Sequence, residues 1–80
     1  MSQPNLAPAD FGELIRRTRK AQGLRQDELA GAAMVGLRFI VDLEAGKPTV
    51  QLGKVLMVLA ALGCAISITS PSEPSLDGKA

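Results

Sequence analysis

The chain has 80 residues, of which 46% are hydrophobic, and a formal net charge of +1. This length and composition indicate one small packed domain and exclude a disordered chain. A single cysteine excludes an internal disulfide, and the absence of histidine and of a glycine-rich phosphate loop argues against a metal site, a cofactor site or a catalytic site. No apolar run is long enough to cross a bilayer, and the first residues lack the features of a signal peptide. We therefore expect a cytoplasmic protein with no membrane partner.

Basic residues are concentrated in one part of the chain. Five of the nine lysines and arginines fall within ten residues that contain no acid, namely Arg16, Arg17, Arg19, Lys20 and Arg25. A local basic face of this kind can bind phosphate although the whole chain is close to neutral. The alternative is an ordinary solvated helix face with no ligand.

The first helix is predicted over residues 10–22, after a flexible arm at residues 1–8. Asp10 is a candidate N-cap, and Glu13, three residues later, would complete a capping box. Gly23 is a natural stop. The inward face at helical spacing is formed by Phe11, Leu14, Ile15 and Thr18.

Two short helices joined by a tight turn follow, at residues 26–33 and 37–45. Ala30 supplies the small side chain that is needed where two such helices cross closely. Four apolar residues are spaced to hold the pair together: Leu29, Val35, Ile40 and Leu43. This pattern predicts a helix-turn-helix, for which a generic small helical bundle is the alternative.

The end of the chain predicts a dimer. Helix four, at residues 51–62, is apolar around more than half of its circumference, which indicates burial on more than one side. Residues 64–70 alternate and are β-branched like a strand, but the sequence offers no second strand to pair with them. We expect this strand to pair with its copy across a twofold axis, before a disordered tail at residues 71–80. The expected dimerisation residues are Val55, Leu59, Leu62, Ile66 and Ile68.

Two stretches resemble a known family. Residues 23–30, Gly-Leu-Arg-Gln-Asp-Glu-Leu-Ala, and residues 40–46, Ile-Val-Asp-Leu-Glu-Ala-Gly, are similar to the signature of the Xre-type, lambda-repressor-like helix-turn-helix family. That signature is G-L-T-Q-x-E-L-A followed by I-x-x-x-E-x-G. The resemblance covers about residues 11–63. It implies an all-α bundle of four to five helices, with a helix-turn-helix DNA-binding domain at residues 9–63 and a short C-terminal β-strand at residues 64–70 that pairs across a dimer.

Three positions depart from the family pattern. Arg25 stands where helix two usually has a Thr, Ser or Asn cap, and Met34 stands where the turn usually has glycine. Gly36 replaces the usual serine cap of helix three, which removes an oxygen that could meet a phosphate.

The Gly-Lys-Pro-Thr loop at residues 46–49, the apolar fourth helix and the terminal strand are similar to the HipB-like antitoxin branch of this family. The resemblance implies a bacterial, nucleoid-associated homodimer that binds a palindromic operator in double-stranded DNA, represses its own operon and neutralises a HipA-type serine/threonine kinase toxin. One alternative is a free-standing Xre or phage-type repressor without a toxin partner. Another is a protein whose main task is to bind the kinase.

The family geometry places helix three in the major groove, with its N-terminal end toward the bases. Arg38 is the strongest candidate for base recognition because a guanidinium can bind O6 and N7 of guanine bidentately. The expected base-reading residues are Leu37, Arg38, Val41 and Asp42. Phe39 either touches sugar and base edges or packs back on the domain.

Phosphate contacts are expected mainly from the start of helix two, where free backbone N–H groups also point outward. The expected phosphate-contacting residues are Arg25, Gln26, Gly36, Lys47, Arg16, Arg17 and Lys20, and some of the last three would face only solvent. The resemblance also implies a structural ion pair between Arg19 and Glu44 that orients helix three.

Overall fold

Residues 7–71 of the chain are described by a computed structural model, and they form a bundle of four helices. The helices are α1 (Pro8–Ala21), α2 (Gln26–Ala33), α3 (Leu37–Glu44) and α4 (Leu52–Ala61). Helix α2 packs against α3 and α4, and α1 packs against α3. The all-helical prediction is confirmed, with four helices in this part of the chain. None of them is long and apolar enough to cross a membrane.

Helix α1 begins two residues before its predicted start. Its N-cap is Ala7 and its first residue is Pro8, which the sequence predicts to lie in the arm. Asp10 is therefore not the N-cap but the third helical residue, and its carboxylate accepts a hydrogen bond from the Ala7 N–H at 3.2 Å. Proline suits the first helical position because its missing N–H would have no partner there. The expected arm otherwise lies outside the described residues.

The core draws on all four helices. Ile15, Leu29, Ile40 and Val58, one from each helix, are fully buried. Burying one such side chain contributes about 1.5–3 kcal/mol, so these four residues are central to the stability of the bundle. Cys64 is half-buried against the same core, as expected for a small apolar residue.

Helices α1 and α3 approach each other closely at two glycines. A Cβ on Gly12 would lie 2.8 Å from the carbonyl oxygen of Glu44, so only glycine fits between α1 and the end of α3. Gly46, at φ +88°, lies just after α3, and a Cβ there would be 2.8 Å from Cα of Ala9. Both contacts fix the C-terminal end of α3 against the N-terminal half of α1.

The structure corrects the expected role of three residues on or just after α4. Val55, Leu59 and Leu62 were expected at a dimer interface, but they are buried in the core of the single chain. The apolar side chains that α4 leaves exposed are Leu52, Leu56 and Met57. The sequence indicated an α4 with two apolar sides, but packing on α2 decided which side faces inward.

Residues 64–70 have no regular secondary structure, in contrast to the expected strand. A strand needs backbone hydrogen bonds to a neighbouring strand, and residues 7–71 of one chain contain none. Ile66 and Ile68 of this segment are exposed. Pairing across a dimer therefore stays a prediction, and the expected tail lies outside the described residues except for Pro71.

Candidate nucleic-acid interface

The turn between α2 and α3 is built on a left-handed residue. Met34 has φ 61° and ψ 41°, and it ends α2. The Val35 N–H donates to the Ala30 carbonyl at 3.0 Å, and the Met34 N–H donates to the Gly31 carbonyl at 3.2 Å. This pair of bonds is a Schellman arrangement, in which glycine is the usual left-handed residue. The turn therefore keeps its shape with methionine in that place, and the Met34 side chain is 81% exposed.

The four expected base-reading residues lie at positions 37, 38, 41 and 42 of α3, a spacing that puts them on adjoining parts of one helix surface. Leu37 is exposed, and the side chain of Arg38 is 82% exposed. Val41 and Asp42 are half-buried. The N-terminal end of α3 thus offers Leu37 and Arg38 most freely to a ligand.

Asp42 lies between two cations. Its Oδ1 is 3.1 Å from Nη2 of Arg38, one helical turn earlier, and its Oδ2 is 3.6 Å from Nζ of Lys47. The structure therefore brings together three residues that the sequence assigned separately to base and phosphate contacts. Their net charge is positive, at the edge of the exposed α3 surface.

Phe39 packs back on the domain, which is one of the two roles that the sequence left open. Its ring is half-buried against the core. Nζ of Lys54, on α4, lies 5.8 Å from the centroid of that ring, within the range of a cation–π contact. Lys54 was not among the expected site residues, because the contact joins two helices and leaves no local signal in the sequence.

At the start of α2, Arg25 is engaged by neighbouring acids. Its Nε donates to Oδ1 of Asp27 at 3.0 Å, and its Nη1 lies 3.6 Å from Oε2 of Glu28. The hydrogen bond to Asp27 raises the pKa of Arg25 and lowers the pKa of Asp27. Glu28 also accepts the Arg25 backbone N–H at 2.8 Å, which is one half of a capping box, but the Arg25 side chain makes no cap hydrogen bond to the first turn of α2. Arg25 is therefore a weaker phosphate candidate than its exposure suggests.

Arg19 and Glu44 form the buried ion pair that the resemblance implied. Arg19 donates from Nε to Oε2 of Glu44 at 2.6 Å and from Nη2 to Oε1 at 3.0 Å. Its third nitrogen, Nη1, donates to the Leu24 carbonyl at 2.7 Å. The hydrogen bond to Glu44 raises the pKa of the Arg19 guanidinium and outweighs the opposing effect of burial. The pair holds α1, the loop before α2 and the end of α3 in one arrangement.

Gln26, the first residue of α2, joins this cluster. Its Nε2 donates to Oε1 of Glu44 at 3.1 Å. The start of α2 is thereby tied to the end of α3, which positions the two elements relative to each other. The Gln26 side chain has a structural partner in addition to its expected phosphate role.

The other expected phosphate residues have more varied surroundings. On α1, Arg16 pairs with Glu13 at 3.7 Å, while Arg17 and Lys20 are exposed. None of the contacts within residues 7–71 joins these three basic residues to α3. Gly36, the N-cap of α3, is exposed with open space around it.

The family model named HTH_3, helix-turn-helix, matches residues 15–68. The chain belongs to this family. In helix-turn-helix domains of this kind, the second helix of the motif enters the major groove of DNA, and α3 holds that place in this chain. This chain is 71% identical, over 66 residues, to an uncharacterized HTH-type transcriptional regulator, y4mF, of Sinorhizobium fredii (strain NBRC 101917 / NGR234). That match spans 82% of this chain and 87% of the relative. The protein is thus a transcriptional regulator of the Xre helix-turn-helix type.

Solved structures agree with this fold. The restriction-modification controller protein C.AhdI of Aeromonas hydrophila matches with a TM-score of 0.68 at 29% identity, over 72% of this chain and 88% of that one. HipB, in a HipB–O4 20mer complex, matches with a TM-score of 0.76 at 18% identity, over 89% of this chain and all of HipB. The likeness to HipB is one of fold.

Proposed function

We propose that this HTH_3 protein is a homodimeric, sequence-specific transcriptional repressor that recognises a palindromic operator with α3. The main supporting observation is the exposed N-terminal end of α3, where Leu37 and Arg38 project from a helix whose opposite side is locked into the core by Ile40 and Leu43. Leu37 and Val41 suit contact with a thymine methyl, and Arg38 suits guanine. Rigid support matters because base recognition requires side chains held in a defined register.

Phosphate contacts would hold α3 in that register. The candidates that lie within the helix-turn-helix or just after it are Gln26, Gly36 and Lys47. We add Lys54, which is exposed on α4 and contacts the ring of Phe39 on α3. Arg16 and Arg25 are weaker candidates because both are paired with acids. Arg17 and Lys20 are weaker because they lie on α1, outside the two helices of the motif.

A dimer is proposed because one module contacts too few bases for useful specificity. Two copies would bind half-sites about one helical turn, roughly 34 Å, apart. The apolar side chains left exposed on or after α4, which are Leu52, Leu56, Met57, Ile66 and Ile68, provide the surface for a second copy. Covering them would remove apolar surface from water and pair residues 64–70 with their copy.

The finer proposal is a HipB-like antitoxin that represses its own operon and binds a HipA-type serine/threonine kinase. Its support is the Gly-Lys-Pro-Thr loop, the apolar α4 and the likeness of fold to HipB along its whole length. HipB itself occurs in a HipA–HipB–O2–O3 complex. A free-standing repressor without a toxin partner is the alternative.

The first experiment measures binding of the purified chain to the DNA upstream of its own reading frame, across a salt series, beside a random duplex of equal length. We expect tight, strongly salt-dependent binding and a preference for the upstream DNA that Arg38→Ala abolishes. No preference over random DNA would contradict the repressor proposal and leave the helix-turn-helix as a scaffold for protein binding.

The antitoxin proposal has its own test. A kinase reading frame next to this gene would be expressed with the chain and the pair purified through a tag on the kinase. A stoichiometric complex that lowers kinase activity is expected. A protein that represses its promoter but neither has such a neighbour nor binds it would be the free-standing repressor.

A further inference from the structure

Asp42 is the one acid among residues 7–71 that forms ion pairs with two different cations. Its two oxygens face different partners, Arg38 Nη2 at 3.1 Å and Lys47 Nζ at 3.6 Å. The Asp42 side chain is 21% exposed, whereas that of Arg38 is 82% exposed. The carboxylate thus lies low on the helix and the guanidinium extends beyond it.

We propose that Asp42 is a positioning residue that holds Arg38 for guanine and keeps it away from phosphate. The inference rests on the proposed function, in which α3 recognises DNA. It replaces the expectation that Asp42 itself contacts a base.

The chemistry of the guanidinium allows this arrangement. Arginine has five N–H donors, and the ion pair with Asp42 involves one nitrogen, so a second edge remains for the O6 and N7 acceptors of guanine. Without a fixed partner, a long exposed arginine would be drawn to the nearest phosphate, since phosphates dominate the attraction of DNA. A carboxylate beside it repels phosphate and favours a base edge instead.

Lys47 offsets the negative charge of the Asp42 carboxylate on the surface that is proposed to face DNA. A bare aspartate near the backbone would weaken binding to every sequence, but here one anion lies between two cations, so the cluster keeps a net positive charge. Lys47 follows α3 by three residues and suits a phosphate at the groove edge. The three residues thus separate base recognition by Arg38 from phosphate binding by Lys47.

Direct recognition by Asp42 is the competing role. An aspartate can accept a hydrogen bond from N4 of cytosine. Both Asp42 oxygens already face cations, and the side chain is mostly covered, which favours positioning over direct contact. The two roles predict different results in the Arg38→Ala background: a positioning residue has no further effect on sequence preference there, whereas a residue that contacts a base keeps its effect.

The experiment selects bound sequences from a pool of random 20-base-pair duplexes, using the full chain, Arg38→Ala, Asp42→Ala and the double variant. Affinities are then measured for the selected site and for versions with each guanine replaced. For the full chain, we expect a guanine in each half-site that is preferred about tenfold or more. Asp42→Ala should reduce that preference to near that of Arg38→Ala, while its binding to random duplex stays equal or becomes tighter. The double variant should behave like Arg38→Ala.

A folding check and two further variants separate effects on DNA recognition from effects on folding. Alanine favours helix, so Asp42→Ala is expected to fold, which circular dichroism and thermal unfolding would verify. Asp42→Glu, which keeps the charge on the same face, should restore part of the guanine preference. Lys47→Met should weaken binding to all duplexes equally and leave the preference unchanged.

The outcomes separate the two proposals. If the full chain selects no sequence, the proposed function fails and this inference fails with it. If the full chain selects a site but Asp42→Ala keeps the guanine preference, positioning by Asp42 is wrong and the repressor stands. If Arg38→Ala keeps a preference for cytosine and the double variant loses it, Asp42 contacts a base itself.

Discussion

At the scale of single residues, the buried pair of Arg19 and Glu44 makes the fold sensitive to the loss of either partner. Breaking such a pair leaves an unpaired buried charge and costs about 3–5 kcal/mol. We expect Glu44→Ala to lower the free energy of unfolding by about that amount, because Gln26 loses its partner as well. Urea unfolding followed by circular dichroism measures it. The matched control is Glu13→Ala, which breaks an exposed pair with Arg16 and should change stability by less than about 1 kcal/mol. Equal effects of the two variants would refute this account.

Met34 is the second residue whose effect can be tested alone. A non-glycine residue in the left-handed region is strained by about 1–2 kcal/mol. Glycine would relieve that strain, but its larger chain entropy in the unfolded state would offset part of the gain in stability. We expect Met34→Gly to raise the free energy of unfolding by about 1 kcal/mol, since the exposed side chain makes little packing contact. Ala32→Gly, two residues earlier on the exposed side of α2, should lower it by a similar amount. A destabilised Met34→Gly would show that the side chain contributes packing.

At the scale of elements, the contact between α1 and α3 depends on Gly12. We expect Gly12→Ala to destabilise the fold by roughly 1–3 kcal/mol, because its Cβ would meet backbone carbonyls at the end of α3, which cannot rotate away as a side chain can. Gly31→Ala is the matched control, since a Cβ there meets nothing within 4 Å and the change should stabilise α2 by about 1 kcal/mol. Thermal unfolding of both variants compares them. If both changes stabilise the protein, the close approach is not a constraint.

The helices themselves were largely predictable from the sequence. Apolar residues at helical spacing gave α2 and α3 nearly to the residue, because both elements carry a clear period and a glycine or tight turn at their ends. The start of α1 was wrong by two residues, since the capping rule favoured Asp10 while the structure uses Pro8 at the first position. Which side of α4 faces inward was not predictable, because an apolar surface nearly all round does not choose between two partners.

Some features of the candidate site could be predicted from the sequence and others could not. The exposure of Arg38 follows from its position on α3, and the Arg19–Glu44 pair followed from the family resemblance. The bridging position of Asp42 and the contact of Lys54 with Phe39 depend on how a loop and a neighbouring helix pack. Lys54 and Phe39 are fifteen residues apart on different helices, so local patterns do not reveal their contact. Arg38 and Asp42 have the i,i+4 spacing at which helical ion pairs form, so that half of the bridge could have been predicted, whereas the contact with Lys47 depends on the path of the loop after α3.

At the scale of the whole molecule, the net charge of +1 limits long-range attraction to DNA, so the proposed dimer would depend on short-range contacts from its two copies. The slope of log affinity against log salt is about −0.9 for each phosphate neutralised. Because a dimer has two equal sets of contacts, its slope should be about twice that of a monomer.

A neutral double variant tests this relation. Leu56→Asn with Ile68→Asn removes exposed apolar surface without changing charge, and we expect it to sediment as a monomer while keeping its helices. Its salt slope should be about half that of the full chain, and its preference for the upstream DNA should be lost. The matched control, Met34→Asn, also replaces an exposed apolar residue, but on the turn before α3, and should remain dimeric. A double variant that stays dimeric would place the interface elsewhere, whereas a monomer with an unchanged slope would mean that one copy already makes all the phosphate contacts.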